Sequence, residues 1–92
     1  MNLKEIIESF KENSFQAILY QDGWFITGTR EERSGYIIKG RKWVKEVNQS
    51  IGVTFYCSSS LIENDNGEIS KILNNKLEKE IDEFKKTKIN TD

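Results

Sequence analysis

The chain has 92 residues, of which 36% are hydrophobic and 32% charged, and its net charge is −1 at pH 7. The length and composition predict one small globular domain over residues 1–92, and the tail after about Lys88 is expected to fray. The near-neutral charge argues against a general nucleic-acid coat and against an acidic mimic of DNA. No apolar run approaches the roughly 20 residues of a membrane span, and one cysteine makes a cytoplasmic location the default expectation.

Three stretches have the periodicity of amphipathic helices. The first covers residues 3–13, begins with a capping box of Asn2 and Glu5, and has as its apolar stripe Leu3, Ile6, Ile7 and Phe10. A helix rather than a strand is predicted for residues 42–51, because it gathers on one side Trp43, Val44, Val47 and Ile51. The longest helix is predicted over residues 67–88, with the stripe Ile69, Ile72, Leu73, Leu77, Ile81 and Phe84.

Residues 15–29 predict a β-hairpin, formed by two apolar and β-branched runs hinged at Asp22 and Gly23. Asp-Gly favours a type I′ turn, in which both central residues have positive φ. A two-residue turn would pair Leu19 with Ile26, and period-2 alternation would then divide the side chains between two faces. One predicted face carries Phe15, Ala17, Leu19, Trp24, Ile26 and Gly28, and the other carries Gln16, Ile18, Tyr20, Phe25, Thr27 and Thr29.

Two further strands are predicted, over residues 36–39 and 53–57. Alternation in the second strand places on one side Val53, Phe55 and Cys57. The expected fold is therefore a two-layer α+β domain, in which helices pack on an antiparallel sheet of about four strands in the order α-β-β-β-α-β-α.

The sequence carries no sign of enzymatic chemistry. It contains no histidine, the commonest general base and metal ligand, and no phosphate-binding loop, dinucleotide fingerprint or nucleophile elbow. Cys57 has no partner base and is interpreted as a small buried hydrophobe rather than a nucleophile. We therefore predict no enzymatic activity, no cofactor and no metal.

The first functional hypothesis is protein–protein docking. If the helices cover the hairpin face that carries Leu19 and Trp24, the opposite face keeps an exposed apolar patch of the kind that marks interfaces. The predicted contact residues are Ile18, Tyr20, Phe25 and Tyr56. The expected partner is a larger protein, and a homodimer through the same face is a variant of this hypothesis. If the helices instead divide between the two faces, no such patch remains.

The predicted layout begins with a short helix that feeds an antiparallel sheet, and further helices follow. It is similar to that of many small phage and mobile-element proteins, including some inhibitors of bacterial defence systems. This fold-level resemblance implies an inhibitor or adaptor that works by binding. The expected function is therefore that of a small non-enzymatic binding protein.

The alternative hypothesis is binding of single-stranded nucleic acid. Net positive charge is confined to residues 30–46, and the cations there are Arg30, Arg33, Lys39, Arg41, Lys42 and Lys45. Trp43 lies among them, and an aromatic side chain that stacks on bases beside cations that meet phosphates suits a single strand. In the predicted helix, however, Trp43 would point to the core and the cations would form a solvated face. Together with the near-neutral charge of the chain, this places the hypothesis second.

Overall fold

The computed structural model describes residues 2–13 and 16–90, and residues 87–90 by their backbone alone. In this part of the chain there are four strands and three helices. They are α1 (Leu3–Glu12), β1 (Ile18–Leu19), β2 (Trp24–Glu32), β3 (Gly35–Val44), β4 (Gln49–Ser58), α2 (Ser59–Glu63) and α3 (Glu68–Asn90). The strands make one antiparallel sheet in the order β1-β2-β3-β4. The predicted α+β class, with a four-stranded antiparallel sheet and helices on it, is confirmed.

The ends of the chain follow the prediction closely. Helix α1 begins with the expected capping box of Asn2 and Glu5. Helix α3 continues to Asn90, past its predicted end near Lys88, and residues 91–92 of the predicted tail lie outside the described residues.

The helix predicted over residues 42–51 is wrong. Strand β3 continues to Val44, residues 45–48 form a turn, and β4 begins at Gln49. Asn48 takes a positive φ of 53° in this turn, a conformation that asparagine tolerates better than most residues. The third helix is instead the short α2 that follows β4. The two long strands pair along their whole length, and this pairing between strands outweighs the helical spacing of the apolar residues.

The hairpin has the predicted turn but a different register. Asp22 and Gly23 have φ values of 55° and 81°, as a type I′ turn requires. Leu19, however, lies opposite Phe25 rather than Ile26, because the Tyr20 N–H bonds the Trp24 carbonyl at 2.8 Å and leaves Gln21 as an extra residue. A shift of one residue moves every side chain of a strand to the other face.

All three helices lie on one face of the sheet, called here the covered face. The core between them combines the predicted α1 stripe with alternate residues of the strands and the first half of α3: Leu3, Ile6, Ile7, Phe10, Trp24, Ile26, Ile38, Ile51, Val53, Phe55, Cys57, Ile69, Leu73 and Leu77. At its centre Trp24 is fully buried, and its indole N–H donates to the Asn74 side chain on α3 at 3.2 Å. Phe15, which was predicted to join this face, lies outside the described residues.

Candidate binding surface on the open face of the sheet

The opposite side of the sheet, called here the open face, carries no helix in the described part of the chain. The register places on it Leu19, Phe25, Gly28, Arg30, Ile37, Lys39, Arg41, Trp43, Ser50, Gly52, Thr54 and Tyr56. Four of these are the large hydrophobic residues that stand exposed in the described structure: Leu19 at 55%, Phe25 at 44%, Trp43 at 59% and Tyr56 at 49%. Leu19, Phe25 and Trp43 lie on three neighbouring strands at one end of this face, and apolar side chains exposed near one another are typical of interaction sites.

Strand β3 supplies the centre of this surface through simple alternation. Ile38 and Val44 point to the core, whereas Lys39, Arg41 and Trp43 point away from it. Lysine and arginine avoid the core because burying a charge is costly unless it is paired. Trp43 follows them at the next alternate position and is therefore carried to the open face.

Arg41 is held flat against the sheet. Its Nε donates to the Ser50 hydroxyl at 3.3 Å and its Nη2 to the Ser50 carbonyl at 3.2 Å. Gly52 lies directly opposite and leaves room for the guanidinium, since a Cβ there would come within 3.0 Å of Nη1. On its other side Arg41 is paired with Phe25. A guanidinium fixed in this way is ready to bind a carboxylate or a phosphate with little further loss of conformational freedom.

A pocket lies beside a β-bulge of strand β2. The register of β2 shifts between Ile26 and Gly28, which brings Gly28 opposite Lys39. The pocket has a volume of about 140 Å³, and its lining consists of Gly28, Thr29, Arg30, Ile37 and Lys39. Arg30 binds the carboxylate of Glu32 at 2.7 Å, whereas Lys39 makes no ion pair with any described residue. The pocket therefore presents one unpaired cation beside the apolar side chain of Ile37.

The predicted docking residues are divided between the two faces. Phe25 and Tyr56 stand on the open face as expected, but Tyr20 is buried and Ile18 is half-buried against the core. The placement of Ile18 and Tyr20 on the exposed side is therefore wrong, because of the shifted register. The Tyr20 hydroxyl donates to Asp65 at 2.5 Å. Burial, followed by this hydrogen bond, raises the pKa of Tyr20 well above its ordinary value.

The predicted cations are divided as well. Arg30, Lys39 and Arg41 share the open face, but Lys42 points to the covered side, where its amine lies 5.8 Å from the centre of the Trp24 ring. Arg33 and Lys45 occupy the turns at opposite ends of β3. The expectation that Lys42 lies on the solvent side of a helix is wrong, since residue 42 belongs to a strand.

Two large hydrophobic residues of the open face were not expected there. Leu19 was assigned to the covered face, and Trp43 was assigned to the core side of a helix. The alternation of Lys39, Arg41 and Trp43 in the sequence was a usable signal for Trp43, since three alternate positions of a strand share a face. No comparable signal existed for Leu19, whose orientation depends on the extra residue at Gln21.

Comparison with protein-family models, curated proteins and solved structures finds no match. No helix in the described part of the chain is long and apolar enough to cross a membrane. Within residues 2–13 and 16–90, no three His, Cys, Asp or Glu side chains are placed to hold a metal ion.

Cys57 lies on the covered face, away from this surface. It is 1% exposed, and burial, with a smaller effect of the Asp65 charge, raises the pKa of its thiol to about 11. A thiol with this pKa stays protonated at neutral pH and is a poor nucleophile. The location agrees with its interpretation as a small buried hydrophobe.

This burial predicts a stability that depends on pH. Above pH 9 the Cys57 thiol ionises in the unfolded chain, while the folded protein keeps it protonated until about pH 11. The free energy of unfolding therefore falls as the pH rises through this range, by an amount on the order of 2 kcal/mol. Urea midpoints measured under reducing conditions should fall more steeply between pH 9 and 11 for the wild type than for Cys57→Ala. Equal slopes for the two proteins would contradict the assignment.

Proposed function

We propose that this chain is a small non-enzymatic binding protein of the cytoplasm that docks, through the open face, onto a larger protein. Its role would be that of an inhibitor or adaptor, of the phage or mobile-element type. The observation that supports the proposal is that Leu19, Phe25, Trp43 and Tyr56, all exposed, stand on the same face of the sheet as the ordered side chain of Arg41.

The composition of the open face suits a protein interface. Aromatic residues and arginine are enriched at interfaces, and tryptophan, tyrosine and arginine provide most of the residues whose truncation costs a large part of the binding energy. Here these side chains stand on paired strands, so their backbone is already ordered. Binding would then lose less conformational entropy than binding by a loop.

The charges of the open face indicate the chemistry of the partner. Lys39 and Arg41 contribute positive charge, and the nearby carboxylate of Glu32 is already bound by Arg30. Like charges brought together across an interface are costly, whereas opposite charges steer association. The docking surface of the partner is therefore expected to carry exposed carboxylates beside apolar groups.

The proposal predicts that the partner depends on the open face. Immobilised wild-type protein should retain a protein from lysate of the native cells, identified by mass spectrometry, and the same protein should bind when purified. Trp43→Ala should weaken that binding by roughly 30-fold or more, as expected for a residue worth about 2 kcal/mol. The matched control is Glu78→Ala on the exposed side of α3, which should bind normally. Equal binding by both variants would contradict the proposal.

Single-stranded nucleic acid is the second candidate, and the exposure of Trp43 favours it. The indole stands on the same face as Lys39 and Arg41, not in the core. Tyr56 lies six residues along β4 from Ser50, the partner of Trp43, so about 20 Å of strand separates the two aromatic rings. A single strand crossing the sheet could stack on both rings and meet the cations between them.

A titration with labelled single-stranded oligonucleotides separates the two candidates. Nucleic-acid binding should weaken steeply with salt, with a slope of about −0.7 per phosphate neutralised, and should be abolished by combining Lys39→Glu with Arg41→Glu. The matched control combines Lys71→Glu with Lys79→Glu, two exposed positions of α3, which changes the net charge equally but lies off the open face. Absence of binding at both low and physiological salt would exclude this candidate and leave protein docking.

A further inference from the structure

The two edges of the sheet are built differently, and the edge formed by β1 and β2 is protected. Strand β1 has two residues and pairs with β2 only at Ile26 and Phe25. Beyond this point β2 is interrupted by the bulge before Gly28 and continues with three charged residues, Arg30, Glu31 and Glu32. A very short edge strand, a bulge and charged side chains are the devices by which proteins prevent pairing with another chain.

The edge formed by β4 has none of these devices. The strand runs for ten residues, Gln49–Ser58, without a charged residue, a proline or a break in its register with β3. In the described part of the chain nothing pairs with its outer side. A long, uncharged edge strand offers a row of unpaired backbone donors and acceptors to a second strand.

Helix α3 leaves this edge accessible. It packs on the covered side of β4, and next to the first residues of the strand an open cleft of about 360 Å³ separates the strand from the helix. The cleft is lined by Gln49, Ser50, Ile51, Gly52, Glu80, Glu83 and Phe84. Because residues of both sheet faces line it, the cleft lies at the strand edge. A second strand on this edge would lie beside α3.

We propose that β4 pairs in antiparallel fashion with β4 of a second copy of this chain, about a two-fold axis at Thr54, and so forms a continuous eight-stranded sheet. An uncharged strand is suited to this partner, because self-pairing brings no like charges together. Directly opposite residues of antiparallel strands share a face, so the apolar residues of both copies stay on the covered side. In this register Tyr56 lies opposite Gly52 of the second copy, an aromatic–glycine pairing that stabilises sheets.

Such a dimer would place the two open faces side by side. The axis at Thr54 runs perpendicular to the sheet, so the helices of both copies lie on one side and the exposed aromatic residues on the other. A partner that offers two docking sites, or a long strand of nucleic acid, would then be bound at two points. Two linked contacts give a higher apparent affinity than one contact of the same kind.

Sedimentation of Thr54 variants tests the proposal. Wild-type protein should sediment at twice the 10.7 kDa chain mass as its concentration rises from micromolar to millimolar. Thr54→Lys and Thr54→Glu each place like charges across the two-fold axis and should raise the dissociation constant roughly tenfold. An equimolar mixture of the two variants should restore the dimer, since opposite charges then face each other. Asn66→Lys, in the exposed turn between α2 and α3, is the matched control and should dimerise as the wild type does.

Amide hydrogen exchange gives a second measurement, independent of the exact register. Dimer formation should slow exchange in β4, because its outer backbone groups become hydrogen-bonded. A chain that stays monomeric throughout the concentration range overturns the proposal. So does a dimer that is insensitive to Thr54 and shows unchanged exchange in β4. A dimer that is instead lost in Trp43→Ala would show self-association through the open face.

Discussion

Replacement of Trp24 by alanine should lower the free energy of unfolding by about 3–5 kcal/mol, the usual cost of removing a buried tryptophan. The side chain is fully buried at the centre of the core, and its indole N–H is bonded to Asn74. The variant loses apolar contacts on every side and leaves the Asn74 oxygen without this donor. Since small domains are stable by only about 5–15 kcal/mol, much of the variant should be unfolded in mild denaturant. Urea unfolding followed by circular dichroism measures the loss.

The other tryptophan supplies the matched control. Trp43 is 59% exposed on the open face, so Trp43→Ala should change the free energy of unfolding by no more than about 0.5 kcal/mol. The fluorescence of the two variants should also differ, since the remaining tryptophan is solvated in Trp24→Ala and buried in Trp43→Ala. A large loss of stability in Trp43→Ala would mean that the open face is covered by another part of the fold.

Gly35→Ala should be the second severe substitution. A Cβ at residue 35 would lie 2.2 Å from the carbonyl oxygen of Cys57 and 2.8 Å from the Cα of Ser58. Both are backbone atoms of the paired strand β4, so relief requires the end of the β3–β4 ladder to separate. We expect a loss of roughly 3 kcal/mol, at the upper end of the usual cost of overpacking. Thermal and urea unfolding provide the measurement.

Gly28→Ala is the matched control, because it adds the same Cβ atom at a position where the neighbouring atoms leave room for it. The nearest atom to its added Cβ would be Lys39 Cδ at 3.9 Å, an ordinary contact with a flexible side chain. Its stability should therefore remain close to that of the wild type. If Gly35→Ala proved equally mild, the close approach of β3 and β4 at this point would be incorrect.

The parts of the fold that could be predicted from sequence are those set by local interactions. The α1 stripe, its capping box and the Asp22-Gly23 turn all depend on residues within a few positions of one another. The register in which β1 pairs with β2 could not be predicted from such local interactions. Gln21 donates its side-chain amide to Ser70 and Tyr20 donates to Asp65, so contacts with residues more than forty positions away accompany the one-residue shift.

The same distinction applies to residues 42–51. The spacing of Trp43, Val44 and Val47 fits a helix, but pairing with β2 and β4 decides the outcome, and a single segment does not reveal its partners. Because of this one error, Trp43 was not assigned to the open face and Lys42 was not assigned to the covered face. The candidate site was therefore predicted in fragments: Phe25 and Tyr56 under one hypothesis, and Lys39 and Arg41 under the other. The structure brings these four residues to one face.

The order β1-β2-β3-β4 in the sheet is also the order of the strands along the chain. During synthesis each strand can therefore pair with the one just made, and such local closure costs little entropy and favours fast folding. The contact between Trp24 and Asn74 spans fifty residues, so the part of the covered face that packs against α3 stays exposed until α3 has emerged. We expect chains cut before Glu68 to form the four-stranded sheet yet aggregate through its apolar side. Helix α3 would then be the element whose packing protects the newly made protein from aggregation.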